Sequence, residues 1–248
     1  MHPFRELPKP NNVERVETAG VVVSVSPWPT AQIVQFAAPD VDVPAAVAAA
    51  REVARRHGKS TLGWWVAPEF DRYAAALEAE GLANADTPGF EAVENAMVLV
   101  GPPPGGGGEA VEVSVVDSFG DYVASSRLAS AVFGAPQTPL GELRQRYREL
   151  LEAPSQRAIV AKIDGRVVGA SFAALGPAGV NLFGGSVDAG ARGRGVYRAM
   201  VGARWQLAVE RGTPALTVQA GRMSMPILER LGFVLVERIR VFVDELGA

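Results

Sequence analysis

Residues 101–108 read Gly-Pro-Pro-Pro-Gly-Gly-Gly-Gly. No helix or central strand passes through such a run: the prolines lack backbone donors, and successive glycines lose the most conformational entropy on ordering. The run predicts a linker over 101–109, between a first half at 1–100 and a second at 110–248. A length of 248 residues suits one or two domains, and an apolar content of 48% is enough for well-packed cores.

The halves carry a faint internal repeat. Leu77-Glu78-Ala79-Glu80-Gly81-Leu82 matches Leu228-Glu229-Arg230-Leu231-Gly232-Phe233, with Leu, Glu and Gly at one constant offset. One element earlier, a helix from Pro44 to His57 stops at Gly58, as a helix from Val196 to Arg211 stops at Gly212, at a slightly longer offset. The first half also shows a strand over Gly63–Val66 and a helix over Glu69–Glu80. The second shows a strand over Val111–Val116 and helices over Asp121–Phe133 and Leu140–Leu151. A hairpin follows over Arg157–Ile163 and Val167–Leu175, because Asp164-Gly165 between apolar runs is a strong turn signal. Then come a strand Val180–Val187, the helix from Val196, a strand Ala215–Ala220 and a helix Pro226–Leu231.

Between that strand and helix stands Ala191-Arg192-Gly193-Arg194-Gly195-Val196-Tyr197-Arg198. A glycine-rich turn opening a helix presents unpaired N–H groups and the positive end of the helix dipole, a ready site for phosphate or pyrophosphate. Arg192, Arg194 and Arg198 add cations. No Gly-Lys-Ser/Thr follows, so the turn is not a Walker loop. The acidic residue that a dinucleotide fold places about 20 residues on is also missing. The helix predicts an inner stripe of Val196, Met200, Ala203 and Leu207. At the matching place the first half has Pro39-Asp40-Val41-Asp42-Val43-Pro44. Asp40 or Asp42 caps the helix there, and either carboxylate repels a pyrophosphate.

The turn resembles the [Q/R]-x-x-G-x-[G/A] signature of the GNAT superfamily of N-acetyltransferases, with Tyr197 in the last position. Leu231-Gly232-Phe233 after a short helix resembles the second motif, Y-E-x-L-G-F, and the order of elements matches over about 110–248. The resemblance implies an α+β fold of three-layer type: a mixed, mostly antiparallel sheet flanked by helices, in two related halves. The first half is then a degenerate copy without the cofactor loop. It also implies acetyl-CoA as acyl donor and direct attack by a primary amine of a small molecule or peptide, with both substrates bound together. Cofactor contacts carry over to Ser186, Val187, Asp188, Arg192, Gly193, Arg194, Gly195, Val196, Tyr197, Arg198 and Ser224. The pantetheine arm would lie where the strand ending Gly185–Asp188 splays from the strand at Leu216–Val218. Gly184 and Gly185 suit a bulge there, and an N–H near Val187 would face the developing oxyanion.

The catalytic candidates are Asp188, as base or as turn residue, and Ser224, as arm contact or as helix cap. The tyrosine that often serves the family as acid falls on Leu228, which has no proton to give. That departure keeps a second reading open, an acyl-CoA-binding module with little turnover. The two histidines are His2, in the terminus, and His57, at a helix end. Tyr122 and Tyr147 reach the acceptor or pack in the core; Trp64 and Trp65 read as core.

A net charge of −3 argues against nucleic-acid partners, and the absence of cysteine excludes disulfides, thiolate metal sites and cysteine nucleophiles. No metal is expected. No run nears the ~18 apolar residues of a membrane span, and Met1–Arg5 opens no apolar signal core, so the expected location is cytoplasmic. Two related halves can mimic a dimer within one chain, so a monomer is expected over a homodimer.

Overall fold

The computed structural model describes residues 13–26, 32–87, 90–105 and 111–247. His2 and the linker residues from 106 onward lie outside them; residues 101–105 carry no helix or strand. The chain packs as two units, one from residues 12–96, 220–226 and 235–248, the other from 97–219 and 227–234.

The first unit opens with β1 (Glu14–Thr18), β2 (Val21–Val25) and β3 (Gln32–Phe36), paired antiparallel in sequence order. In β2 and β3, buried residues alternate with half-buried ones, the period of a strand with one face on a core. α1 (Val43–Arg56) crosses over to β4 (Thr61–Val66), which lies parallel to β3. Asp42 caps α1 by accepting from the Ala45 amide at 3.2 Å. Alanines 46, 50 and 54 are fully buried along α1 and let it lie close to the sheet. The helix expected over Glu69–Glu80 is two pieces, a 3₁₀ segment Pro68–Tyr73 and then α2 (Ala74–Ala79). The tighter winding turns Phe70 inward, while the Tyr73 hydroxyl holds the Val41 amide and the Pro39 carbonyl. β5 (Val93–Leu99) begins in this unit, and β11 (Val234–Glu245) completes its sheet by pairing antiparallel with β4, Arg240 opposite Val66. Phe242 of β11 is buried with Trp64, Leu62, Leu77 and the valines of β2 and β3 in one core.

The second unit holds β6 (Glu112–Val115), α3 (Phe119–Phe133), α4 (Leu140–Glu152), β7 (Gln156–Ile163), β8 (Arg166–Leu175), β9 (Val180–Val187), α5 (Val196–Glu210), β10 (Leu216–Ala220) and most of α6 (Met225–Arg230). Its sheet order is β6-β7-β8-β9-β10, antiparallel except for β9 with β10. Both turn residues of the β7–β8 hairpin have positive φ, Asp164 at 51° and Gly165 at 74°, as a tight hairpin needs. The fold is α+β, each unit a mostly antiparallel sheet with one parallel pair made through a helix.

The repeat recurs at backbone level. Gly81 and Gly232 have φ of 89° and 90°. Gly81 donates to Glu78 and Leu82 to Leu77, as Gly232 donates to Glu229 and Phe233 to Leu228. The helix ends at Gly58 and Gly212 likewise share one bonding pattern, to Arg55 and Ala54 in one and to Val209 and Ala208 in the other. The first half lacks helices between β1 and β2, which meet in the two-residue turn Ala19-Gly20.

Arg51 on α1 grips Asp244 on β11 with two bonds of 2.9 Å and also donates to the Glu80 carbonyl. Asp244 is 3% exposed. Arg51→Leu strands that carboxylate without its partner and is expected to cost about 3 kcal/mol in urea unfolding, whereas Arg51→Leu with Asp244→Leu should recover most of the loss.

Candidate functional site

β9 and β10 pair from Val180 with Leu216 to Leu182 with Val218, and there the pairing stops. β9 continues through Phe183–Val187 bonded only to β8, with a register break between Ala170 and Phe172. Opposite the break is a bulge at Gly184-Gly185: Gly184 has φ of 62°, and a Cβ on it would lie 3.2 Å from the Phe172 ring. From Phe183 onward, the edge of β9 that faced β10 has no ladder partner among the described residues. The splay expected between these strands is present.

At the end of this opening stands the start of α5, and Gly169 brings the two together. Gly169 pairs with Val187, the last residue of β9. A Cβ on Gly169 would lie 2.7 Å from Val196 Cγ1 and 3.1 Å from Met200 Sδ, so glycine lets the first turn of α5 sit on β8. The loop between them begins with Asp188, which accepts from the Gly190 amide at 2.9 Å and pairs with Arg166 at 2.7 Å. Gly193 and Gly195 take positive φ, 76° and 80°, and Gly195 is the N-cap residue. The first helical bond runs from Ala199 to Gly195, so the amides of Val196 and Tyr197 have no intrahelical acceptor. Arg192, Gly193, Arg194 and Arg198 are exposed around them.

Tyr197 turns inward. A Cβ on Gly185 would lie 2.9 Å from Tyr197 Cε2, so the ring fills the space that the bulge glycine leaves. Burial pushes its phenol above the usual range, against the opposing charge of Arg204. The inner face of α5 departs from the expected stripe: Val196 and Met200 are buried, Ala203 and Leu207 only half so, and Arg204 and Ala208 take their places. The helix rests on the sheet along an i, i+4 row, which puts an arginine inside. Arg204 donates to the carbonyls of Met200 (3.0 Å) and Phe172 (3.4 Å), its Nη2 has no partner among the described residues, and burial lowers its pKa to about 10.

The remaining expected residues are less directly aimed. Ser186 is buried, its hydroxyl on the Ala170 carbonyl at 3.3 Å. Ser224 closes the turn before α6 by donating to the Gly221 carbonyl at 3.2 Å. Leu228 is fully buried. Tyr122 is buried against Tyr147 with ring centroids 5.4 Å apart, and burial raises its phenol pKa. His57 ends α1, bonded to the Val53 carbonyl and to Glu14.

In the other unit, sequence reasoning missed one carboxyl with a shifted pKa, Glu94. β10 ends at Ala220, whose carbonyl accepts from the Asn95 side chain at 3.0 Å. The turn that follows is held by Glu91, which accepts from the Arg222 amide at 2.7 Å and leaves Gly221 no room for a Cβ. Arg222 pairs with Asp86 at 2.9 Å and lies 3.9 Å from Glu91. Beside Asn95, the Glu94 carboxyl has no hydrogen bond among the described residues. Burial first, and then the charge of Glu91, pushes it up to about 7. In the sequence, Val93-Glu94-Asn95 looks like the polar start of a strand that turns apolar from Ala96 to Leu99, and nothing in it singles out the carboxylate.

Among the described residues, the first unit has no counterpart to the opening. β3 and β4 stay paired from Gln32 with Leu62 to Gln35 with Trp65, and Asp42 occupies the start of α1.

The chain is similar over almost its full length to solved GCN5-related N-acetyltransferases. One from Kribbella flavida is 15% identical, with a TM-score of 0.66 over 96% of this chain and 91% of that one. One from Sphaerobacter thermophilus is also 15% identical, with a TM-score of 0.69 over 92% and 78%. A tandem GNAT protein from the clavulanic acid biosynthesis pathway is 18% identical, with a TM-score of 0.62 over 97% and 85%. No family model and no curated protein sequence matches the chain. At these identities the likeness establishes a shared fold, the tandem GNAT fold expected from the two motifs. Among the described residues, no helix is long and apolar enough to cross a membrane.

Two outcomes follow from this geometry. Gly185→Ala drives a methyl into the Tyr197 ring and should destabilise the protein by about 1–3 kcal/mol in thermal or urea unfolding, with Tyr197→Leu in the same chain restoring much of it. Glu94 behaves oppositely to a paired carboxylate. Its native pKa lies above the ordinary 4.5, so its stabilising contribution is full below that value and is lost as pH rises through about 7. Glu94→Gln should therefore raise stability at about pH 8, by up to about 3 kcal/mol, and lose that gain near pH 4.

Proposed function

We propose that this chain is an N-acetyltransferase that moves an acetyl group from acetyl-CoA to a primary amine of a small molecule or peptide. One observation carries the reading: the unpaired edge of β9 ends beside the start of α5, the two joined through Gly169. The residues present fit the donor. Amides of Val196 and Tyr197, the dipole of a 15-residue helix and the arginines at 192, 194 and 198 suit a pyrophosphate. Gly193 and Gly195 give the loop a left-handed backbone open to close approach. The backbone groups on the β10-facing edge of β9 beyond Leu182, which have no ladder partner among the described residues, suit an amide-bearing arm as a strand would. The likeness in fold to proteins described as N-acetyltransferases supports the same reading.

Acetyl-CoA supplies an activated thioester, and the chain's own work is positioning and electrostatics. A backbone N–H near Val187 faces the carbonyl oxygen as charge grows on it. Asp188, tied to Gly190 and Arg166, fixes the turn into the loop, and Ser224 sets the turn ahead of α6. We expect no metal, nucleic-acid or membrane partner, a cytoplasmic location, and a monomer over a homodimer. Burial of Leu228 where the family often has an acidic tyrosine favours the second reading, a module that binds acyl-CoA with little turnover.

Calorimetric titration of acetyl-CoA into the intact protein should give micromolar binding. Gly195→Asp, which adds a negative charge and a side chain at a residue with φ of 80°, should weaken it at least tenfold. No binding to the intact protein overturns the assignment. Release of free CoA with amines separates the enzyme from the binding module.

A further inference from the structure

We propose that Tyr197 is the general acid that gives the leaving thiolate its proton, an assignment that rests on the acetyl-transfer reading. Its ring lies on the open stretch of β9. A Cβ on Gly185 would lie 2.9 Å from Tyr197 Cε2 and 3.8 Å from Cζ, the carbon that carries the hydroxyl. Gly185 stands inside Phe183–Val187, the part of β9 that has left β10. Both residues belong to the second unit. α5 places the ring there: Gly169 lets the first turn of the helix sit on β8, and Tyr197 belongs to that turn.

Tyr197 holds the proton that this stretch can spare. It is half-buried, its hydroxyl makes no hydrogen bond among the described residues, and its oxygen is not one of the buried atoms left without a partner. The hydroxyl is therefore free to meet a ligand in the opening. The other polar side chains along the stretch are committed. Ser186 is buried on the Ala170 carbonyl, Asp188 is held by Arg166 and the Gly190 amide, and Thr217 bonds Asn181 at 3.2 Å. Burial keeps the phenol protonated at neutral pH, and it raises the pKa of a thiol in the same way, which keeps donor and leaving sulfur matched. Further along α5, Arg204 is fully buried with its Nη2 unpartnered among the described residues, and its charge favours the ionised phenol.

In the step, a neutral amine nitrogen forms a C–N bond to the thioester carbonyl carbon. The C–S bond breaks with its electron pair on sulfur, and Tyr197 gives its phenolic proton to that sulfur, which leaves as free CoA thiol. Arg204 is a positioning residue: its charge steadies the phenolate. The proton lost by nitrogen passes to solvent, and solvent returns one to the phenolate.

The test uses the full chain, acetyl-CoA and hydroxylamine, a small nucleophile that is neutral at neutral pH, and follows free CoA. Tyr197→Phe keeps the ring that fills the glycine gap and removes only the hydroxyl. It should bind acetyl-CoA as the parent does and lower kcat by about 100-fold. A second readout needs no turnover. Protein carrying 3-fluorotyrosine gives a fluorine signal for each tyrosine, and Tyr197→Phe identifies the one from Tyr197. CoA should shift that signal, and the desulfo analogue, in which hydrogen replaces the thiol, should shift it far less. Arg204→Met should raise the pH at which the same signal titrates, and an unmoved midpoint overturns the part given to Arg204. An unchanged kcat in Tyr197→Phe, or equal shifts with CoA and its desulfo analogue, overturns the assignment while leaving the acetyl-transfer reading in place. Loss of acetyl-CoA binding in Tyr197→Phe also overturns it, since the hydroxyl then serves binding. If the parent binds acetyl-CoA but releases no CoA with hydroxylamine, no thiolate leaves and the assignment falls. Absence of acetyl-CoA binding by the parent overturns the reading beneath it as well.

Discussion

The close approach of α5 to β8 at Gly169 is the constraint on which the site depends. Helix side chains reach a strand's backbone only where the strand has no side chain in the way, and a Cβ at this position would collide with both Val196 and Met200. Because Gly169 also pairs with Val187, the same residue anchors the end of β9 and the beginning of α5. The bulge one step back depends on that anchoring. Its two glycines let β9 swing from β10 after Leu182 without losing β8, and the Tyr197 ring packs into the space so created. Tyrosine at a position where the signature asks for glycine or alanine is thus consistent with an open loop, because its bulk goes inward.

The two units show how little separates an open strand pair from a closed one. Both use antiparallel strands followed by one parallel crossover, and both end their helices on glycines with the same bonds. In the first unit, β3 keeps its register against β4, and the start of α1 is satisfied by its own Asp42 carboxylate. In the second, a glycine pair breaks the register and Gly195 caps the helix without a side chain. A self-capped helix has spent its orphan amides and carries a negative charge where a phosphate would sit. An uncapped one keeps them for a ligand.

What the sequence disclosed and what it hid divide by range. The Asp164-Gly165 hairpin, the paired helix ends, the glycine-arginine loop and the aptness of Gly184-Gly185 for a bulge rest on neighbours within a few residues and can be read from residue type, whereas the splay of β9 from β10 was implied only by the family resemblance. β11 joining the sheet of the first half, by contrast, depends on strands far apart in the chain, and nothing in Val234–Glu245 names its partner. The inner face of α5 was misjudged because hydropathy sends arginine outward, whereas Arg204 reaches two carbonyls from inside. Glu94 was invisible for the same reason: a glutamate in a strand reads as solvent-facing until the burial around it is known.

Burial alone does not decide how a carboxyl ionises; its partners do as well. Asp244 and Glu94 belong to the same unit. Asp244 meets a guanidinium through two bonds of 2.9 Å, an arrangement that holds α1 to β11 and leaves the carboxylate nothing else to do. Glu94 has no such partner among the described residues: burial first, and then the charge of Glu91, works against its ionisation.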